Sequence, residues 1–225
     1  MDWHTILRFS RGPLFQASLL IFIAGMVYRF VRVIALGWKK DRVPARGSKA
    51  GGVVKSYLKS LLIWPFIPWV KQTFNRNPVI YLAGGLFHLG LFAVLVLGTP
   101  HMLVFKSLIG FGWPTLPLPI VDWLAAGAIV AMIALFINRL FHPVMKLISG
   151  PAEWLNLLLV FLPMVSGYIM THHLFFKYEM AYSLHMLAVD LLLIWIPLSR
   201  ISHFVFYFFS KTIHGTEYGK RAVNP

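Results

Sequence analysis

A chain of 225 residues that is 58% hydrophobic and only 12% charged has too little polar surface to meet water on every side. Its formal charge of +14 does not make it a nucleic-acid binder, because the basic residues lie between apolar runs rather than along one folded polar face. With no cysteine, disulfides, thiolate-held clusters and covalent haem attachment are excluded, so any redox group must be held by His or Met.

Crossing the hydrocarbon takes roughly 20 apolar residues. Runs of that kind at 12–37, 78–100, 121–140, 152–171 and 181–209 predict one all-α membrane domain over 1–225, a five-helix bundle. The first run is not preceded by a basic n-region and is expected to be a retained helix rather than a signal peptide. Between the first two spans, the basic loop 38–77 contains GSKAGG at 47–52, which reads as a flexible joint. It also contains LLIWPFIPWV at 61–70, too short to span and interrupted by Pro65 and Pro68. Flanked by Lys55, Lys59 and Lys71 and carrying Trp64 and Trp69, that segment reads either as an interfacial stretch or as a loop buried against a partner. Basic residues crowd this loop, the turn after span three (Arg139, Lys146) and the tail (Lys211, Lys220, Arg221). The positive-inside rule then places the N-terminus outside and the C-terminus in the cytoplasm, with the basic side against anionic lipid headgroups.

Nine histidines in so apolar a chain need an explanation, since an ionisable group inside a span is costly. His185 and His203 stand eighteen residues apart on the last span, about five turns, which on an unbroken helix puts both on one face ~27 Å apart. Span two runs the opposite way. His88 lies ~15 Å in from its inner end and His203 ~9 Å from the inner end of span five, compatible depths given span bounds good to a few residues; His101 lies at the outer end of span two and His185 within about one turn of the outer end of span five. His101 joins His185 only if Gly98-Thr99-Pro100 breaks the helix and redirects the chain, and His172 and His173 are rival outer ligands. Two bis-imidazole sites bridging two helices suit b-type haem iron, with the macrocycle replacing lipid between them. Any one of these histidines alone is as readily a packing residue bonded to a carbonyl. Gly84, Gly85 and Gly90 around His88 leave room for a flat ring or simply let helices approach. Arg200 is equally a partner for a haem propionate and a positive-inside anchor.

Two stretches carry a family resemblance. FHLG at 87–90, and YSLHMLAVDLLLIWIPLSRISHF at 182–204 with its two histidines at eighteen-residue spacing, resemble the gamma (cytochrome b) subunit of respiratory nitrate reductase and its wider family. That family includes membrane subunits of sulfite-reductase-linked, heterodisulfide-reductase and nickel–iron hydrogenase complexes. The resemblance implies His88 and His203 as ligands of the haem nearer the cytoplasm and His185 as one ligand of the outer haem. In the nitrate reductase branch the partner of the latter comes ten residues after the first ligand. Gly98 stands there in this chain, so either the ligand shifts to His101 or there is one haem instead of two. This departure and the long basic loop favour the other branches. They imply a cytoplasmic iron–sulfur partner subunit related to heterodisulfide reductase catalytic subunits; the other expected electron-transfer partner is a quinone. Candidate proton carriers are Asp190 and Glu179, with Asp122. Asp190 lies five residues after His185, points away from the histidine face, and could instead bond a neighbouring helix. The expected role is a haem b electron-transfer subunit of the cytoplasmic (inner) membrane, with a non-redox anchor for a peripheral complex as the alternative.

Overall fold

The computed structural model of the chain describes residues 2–36, 44–63 and 72–223, and all regular structure among them is helical. Five helical stretches are long and apolar enough to cross a membrane: Trp3–Ala35, Pro78–Leu97, Leu118–Phe141, Pro151–Thr171 and Tyr178–Leu198. The protein is therefore an all-α, multi-pass membrane protein. The described helices are α1 (Trp3–Phe9), α2 (Phe15–Ala35), α3 (Lys49–Leu58), α4 (Gln72–Arg76), α5 (Pro78–Leu97), α6 (Thr99–Ile109), α7 (Leu118–Phe141), α8 (Pro143–Leu147), α9 (Pro151–Thr171), α10 (Tyr178–Trp195) and α11 (His203–Lys220). A π-helical turn, Ser10–Leu14, joins α1 to α2 and absorbs Pro13, which has no N–H to give to the ladder. Of the expected interfacial segment 61–70, Leu61–Ile63 continue the helix from α3 as a π turn, and 64–71 lie outside the described residues.

The chain divides into two compact units. Met1–Leu19 with Arg76–Leu193 forms the first, and Leu20–Asn75 with Ile194–Pro225 the second. In the first unit α5 packs most extensively on α7, and α7 packs on α9. Small residues allow it. A Cβ on Gly90 would strike the carbonyl of Leu124 and lie 2.7 Å from the Ala128 Cβ. Ala83, Phe87, Ala128, Ala131, Met132 and Met164 make the core there. Lipid supplies no hydrophobic drive between helices, so such close approach is what holds them. Helix starts follow local chemistry: Asn77 accepts from Ile80 N at 3.1 Å ahead of Pro78, and Glu153 accepts from Gly150 N at 3.0 Å around Pro151.

One polar contact is buried among these apolar surfaces. Ser18 Oγ meets Asp190 Oδ1 at 2.9 Å, both side chains almost fully enclosed, and Asp190 Oδ2 has no partner among the described residues. The expectation that Asp190 points away from the histidine face and can bond a neighbouring helix agrees with this contact. Ser18→Ala leaves the whole carboxyl without a donor and is expected to cost about 1–3 kcal/mol. The double variant Ser18→Ala/Asp190→Leu, which removes both partners, should recover most of that loss in a detergent unfolding series. A double variant as unstable as the single one would contradict this account.

In the second unit α3 packs on α11 at backbone distance. A Cβ on Gly52 would collide with the carbonyl of Gly215 and lie 2.5 Å from the Gly219 Cα. The GSKAGG stretch is thus not the flexible joint that composition suggests. Ser48 Oγ accepts from Gly51 N at 3.0 Å and starts α3, while Gly52 makes the helix contact, and Arg46 N donates to Lys220 O at 2.8 Å.

The last apolar run also departs from expectation. It is not one helix over 181–209: α10 ends at Trp195, two short 3-10 turns follow at Ile196–Leu198 and Arg200–Ser202, and α11 starts at His203. Pro197 removes a donor, and Ser199 is extended at φ −123° and ψ 178°. The five-turn argument that aligned His185 with His203 assumed an unbroken helix and does not hold.

Candidate haem-ligand histidines

The second span ends in a designed interruption. Helix α5 stops at Leu97, Gly98 is extended (φ −77°, ψ 128°), and α6 begins at Thr99. Pro100 has no N–H, so the Val96 carbonyl loses its helical partner; Trp113 Nε1 donates to it at 2.7 Å. Leu97 O accepts from Leu116 N at 2.9 Å, and the Thr99 and Thr115 hydroxyls meet at 2.9 Å. The loop before α7 therefore closes over the break, and the chain turns at the residues where the sequence places it. A Cβ on Gly98 would clash with the Val94 carbonyl, so this backbone disfavours any side chain there.

The turn brings His101 to His185, with ring centroids 6.3 Å apart and ring planes at 62°. An imidazole nitrogen binds a metal at about 2 Å and lies about 1 Å from its own ring centre, so two rings sharing one ion would have centres no more than about 6 Å apart, and His101 and His185 are the residues that would hold one here. Each ring is held through Nδ1. His101 Nδ1 donates to Val94 O at 3.0 Å, the carbonyl at the helix break. His185 Nδ1 donates to Pro163 O at 3.1 Å and lies 3.2 Å from Ser166 Oγ. Neither Nε2 has a hydrogen-bond partner among the described residues. Gly167 makes the recess for His185, since a Cβ there would stand 3.0 Å from Cε1 of that ring. Burial holds the pKa of His101 below the ordinary histidine value, against the opposing effect of its bond to Val94.

The other two candidates are built the same way, each in its own unit. On α5, His88 Nδ1 donates to Gly84 O at 2.6 Å. In the second unit, His203 Nδ1 donates to Arg200 O at 3.0 Å. Both side chains are exposed. Nothing lies within 4 Å of a Cβ placed on Gly84 or Gly85, so these two glycines leave space beside His88, while Gly90 serves the α5–α7 contact. A ligating histidine commonly gives its second ring N–H to a carbonyl, which fixes ring orientation. That pattern is present at His88, His101, His185 and His203.

The rivals are engaged elsewhere. His172 Nε2 lies 3.6 Å from Asp122 Oδ1 with its ring 4.3 Å from Tyr168, and His173 packs near Tyr178 at 5.7 Å. Glu179 is exposed in the first turn of α10, Asp190 is bonded to Ser18, and Arg200 is exposed beside His203. Sequence reasoning passed over three participants: Trp113, the Ser166–Gly167 pair beside Pro163, and Arg29. Only Arg29 carried a signal of its own, being a charge within an apolar run.

No family model matches the chain, and no solved structure matches it. A protein of Nitratidesulfovibrio vulgaris strain Hildenborough is 28% identical over 211 residues, which cover 93% of this chain and 92% of that protein. The similarity thus runs through nearly the whole of both chains.

Proposed function

We propose that this chain is a b-type cytochrome subunit of a respiratory complex in the cytoplasmic (inner) membrane, with its C-terminus in the cytoplasm. It would carry electrons between the quinone pool and an iron–sulfur partner subunit related to heterodisulfide reductase catalytic subunits. The observation that carries the reading is the His101–His185 pair: two rings at bis-imidazole separation, each tied through Nδ1 to a carbonyl. His101 with His185 would hold one haem b, and His88 with His203 the other. Bound haem supplies one-electron redox chemistry that no side chain of this cysteine-free chain provides.

The chain's own residues do the rest. The carbonyls of Val94, Pro163, Gly84 and Arg200 orient the ligand rings. Gly84 and Gly85 leave the space a macrocycle needs at His88. Quinone chemistry moves protons with electrons, and Asp190 and Glu179 are the carboxyls on the helix that carries His185. Arg200, exposed beside His203, is placed to meet an anionic propionate. The resemblance to the nitrate reductase gamma family supports the same reading, with His101 replacing the ligand that Gly98 excludes.

The test is a dithionite-reduced minus oxidised spectrum of the protein purified with its partners, together with the haem-to-chain ratio. Two b haems per chain are expected. One haem would remove one of the two pairs, and none would leave a membrane anchor.

A further inference from the structure

A break inside an apolar span frees backbone groups that lipid cannot satisfy, so something in the protein must take them up. In the last span Pro197 and Ser199 lie in the break itself, and their carbonyls are two that need a donor there. Both are taken by one nitrogen of one side chain: Arg29 Nη1 donates to Pro197 O at 3.0 Å and to Ser199 O at 2.7 Å. An Nη carries two hydrogens, so two acceptors use it completely. Serines complete the accounting. Ser199 Oγ accepts from Ile201 N at 3.2 Å, and Ser202 Oγ donates to Ser199 O at 2.9 Å.

The helix carrying Arg29 is shaped for this contact. One turn earlier on α2, a Cβ on Gly25 would stand 2.6 Å from the Pro197 Cβ, so glycine admits the proline ring. Two aromatic contacts extend the same seam into α11, Phe22 against Phe204 at 6.5 Å and the Arg29 guanidinium over Phe206 at 5.7 Å. An arginine serving only as a topological anchor extends its head to the lipid headgroups. Arg29 instead turns to the break, and it has no acidic partner among the described residues.

His203 is the first residue of α11 and follows this break directly, and its Nδ1 bonds the carbonyl of Arg200, which lies within the clamped turns. We infer that Arg29 is a positioning residue: by holding the Pro197 and Ser199 carbonyls it fixes the break and thereby sets the orientation of His203 as a haem ligand. This rests on the haem reading above. A lysine keeps the charge and has donors enough for both carbonyls, but it lacks the planar fork and reaches less far, so it should restore the contact in part.

The experiment uses the protein purified with its partners and compares wild type with Arg29→Gln, Arg29→Lys and Gly25→Ala. The readouts are haem-to-chain ratio, redox titration of each haem and low-temperature spectra. The expected result is a shifted potential and spectrum, or loss, of the haem assigned to His203, with the other haem unchanged. Arg29→Lys should fall between glutamine and wild type. If Arg29→Gln accumulates too poorly to titrate, Gly25→Ala, which presses on Pro197 from the same side, should move the same haem. Two haems with unchanged potentials in both Arg29→Gln and Gly25→Ala would overturn the role of Arg29 alone. Equal disturbance of both haems by Arg29→Gln and Arg29→Lys alike would also overturn it, in favour of general destabilisation. A wild type without haem would overturn the haem reading itself, and is distinguishable from either result.

Discussion

Substituting His185 by alanine should remove one b haem and leave the other, halving the reduced-minus-oxidised α-band, and His101→Ala should remove the same one. The reason is geometric. The two ring centres are 6.3 Å apart, and each ring is already tied through Nδ1, so neither can be replaced by a neighbour without rebuilding a helix end. His88→Ala and His203→Ala should remove the second haem and spare the first. His172→Ala and His173→Ala provide the contrast: their rings are engaged with Asp122, Tyr168 and Tyr178, and both haems should survive. Retention of two haems by His185→Ala would contradict the assignment, as would loss of the same haem from His172→Ala.

The second large effect is expected at glycine. Gly90→Leu should prevent α5 from docking on α7, because even a Cβ there meets the Leu124 carbonyl, which belongs to a helix backbone and cannot step aside. Overpacking usually costs about 1–3 kcal/mol, and a collision with backbone belongs at or above the top of that range. The protein should fail to accumulate in the membrane, and Gly90→Ala should already be impaired. Gly84→Ala and Gly85→Ala meet nothing within 4 Å and should leave the helix pair intact, stabilising α5 by up to about 1 kcal/mol through helix propensity. Larger residues at those positions are a separate matter: Gly84→Leu and Gly85→Leu should keep the fold and lose the haem at His88. Membrane yield and haem content read together separate the two kinds of glycine. Full yield of Gly90→Leu would sink the packing argument.

The five spans were legible because a bilayer admits few ways of satisfying a backbone, and apolar runs of the right length leave little else to form. The interruption at Gly98–Pro100 was legible for a similar reason, since glycine and proline at a helix end act through local backbone chemistry. The break at Pro197 involves the same chemistry, but a regular spacing of histidines invited the assumption of a straight helix across it. What could not be read was pairing over distance. Gly52 looks like linker until Gly215 and Gly219 are laid against it, and nothing local to Asp190 names Ser18, which lies 172 positions away. His101 was nameable as the partner of His185 only on the condition that the chain turns there, whereas the recess at Gly167 and the Pro163 carbonyl had no signature of their own.

The carbonyl contacts of the four histidines have a consequence for assembly. A carbonyl only accepts, so Nδ1 bears the hydrogen in each ring, and the tautomer with its lone pair on Nε2 is selected before any cofactor arrives. The proposed iron centre would displace no proton from these rings, unlike one entering a site of thiols, each of which must first ionise. Insertion of the proposed haem would then be free to follow folding in the bilayer as a separate, late step.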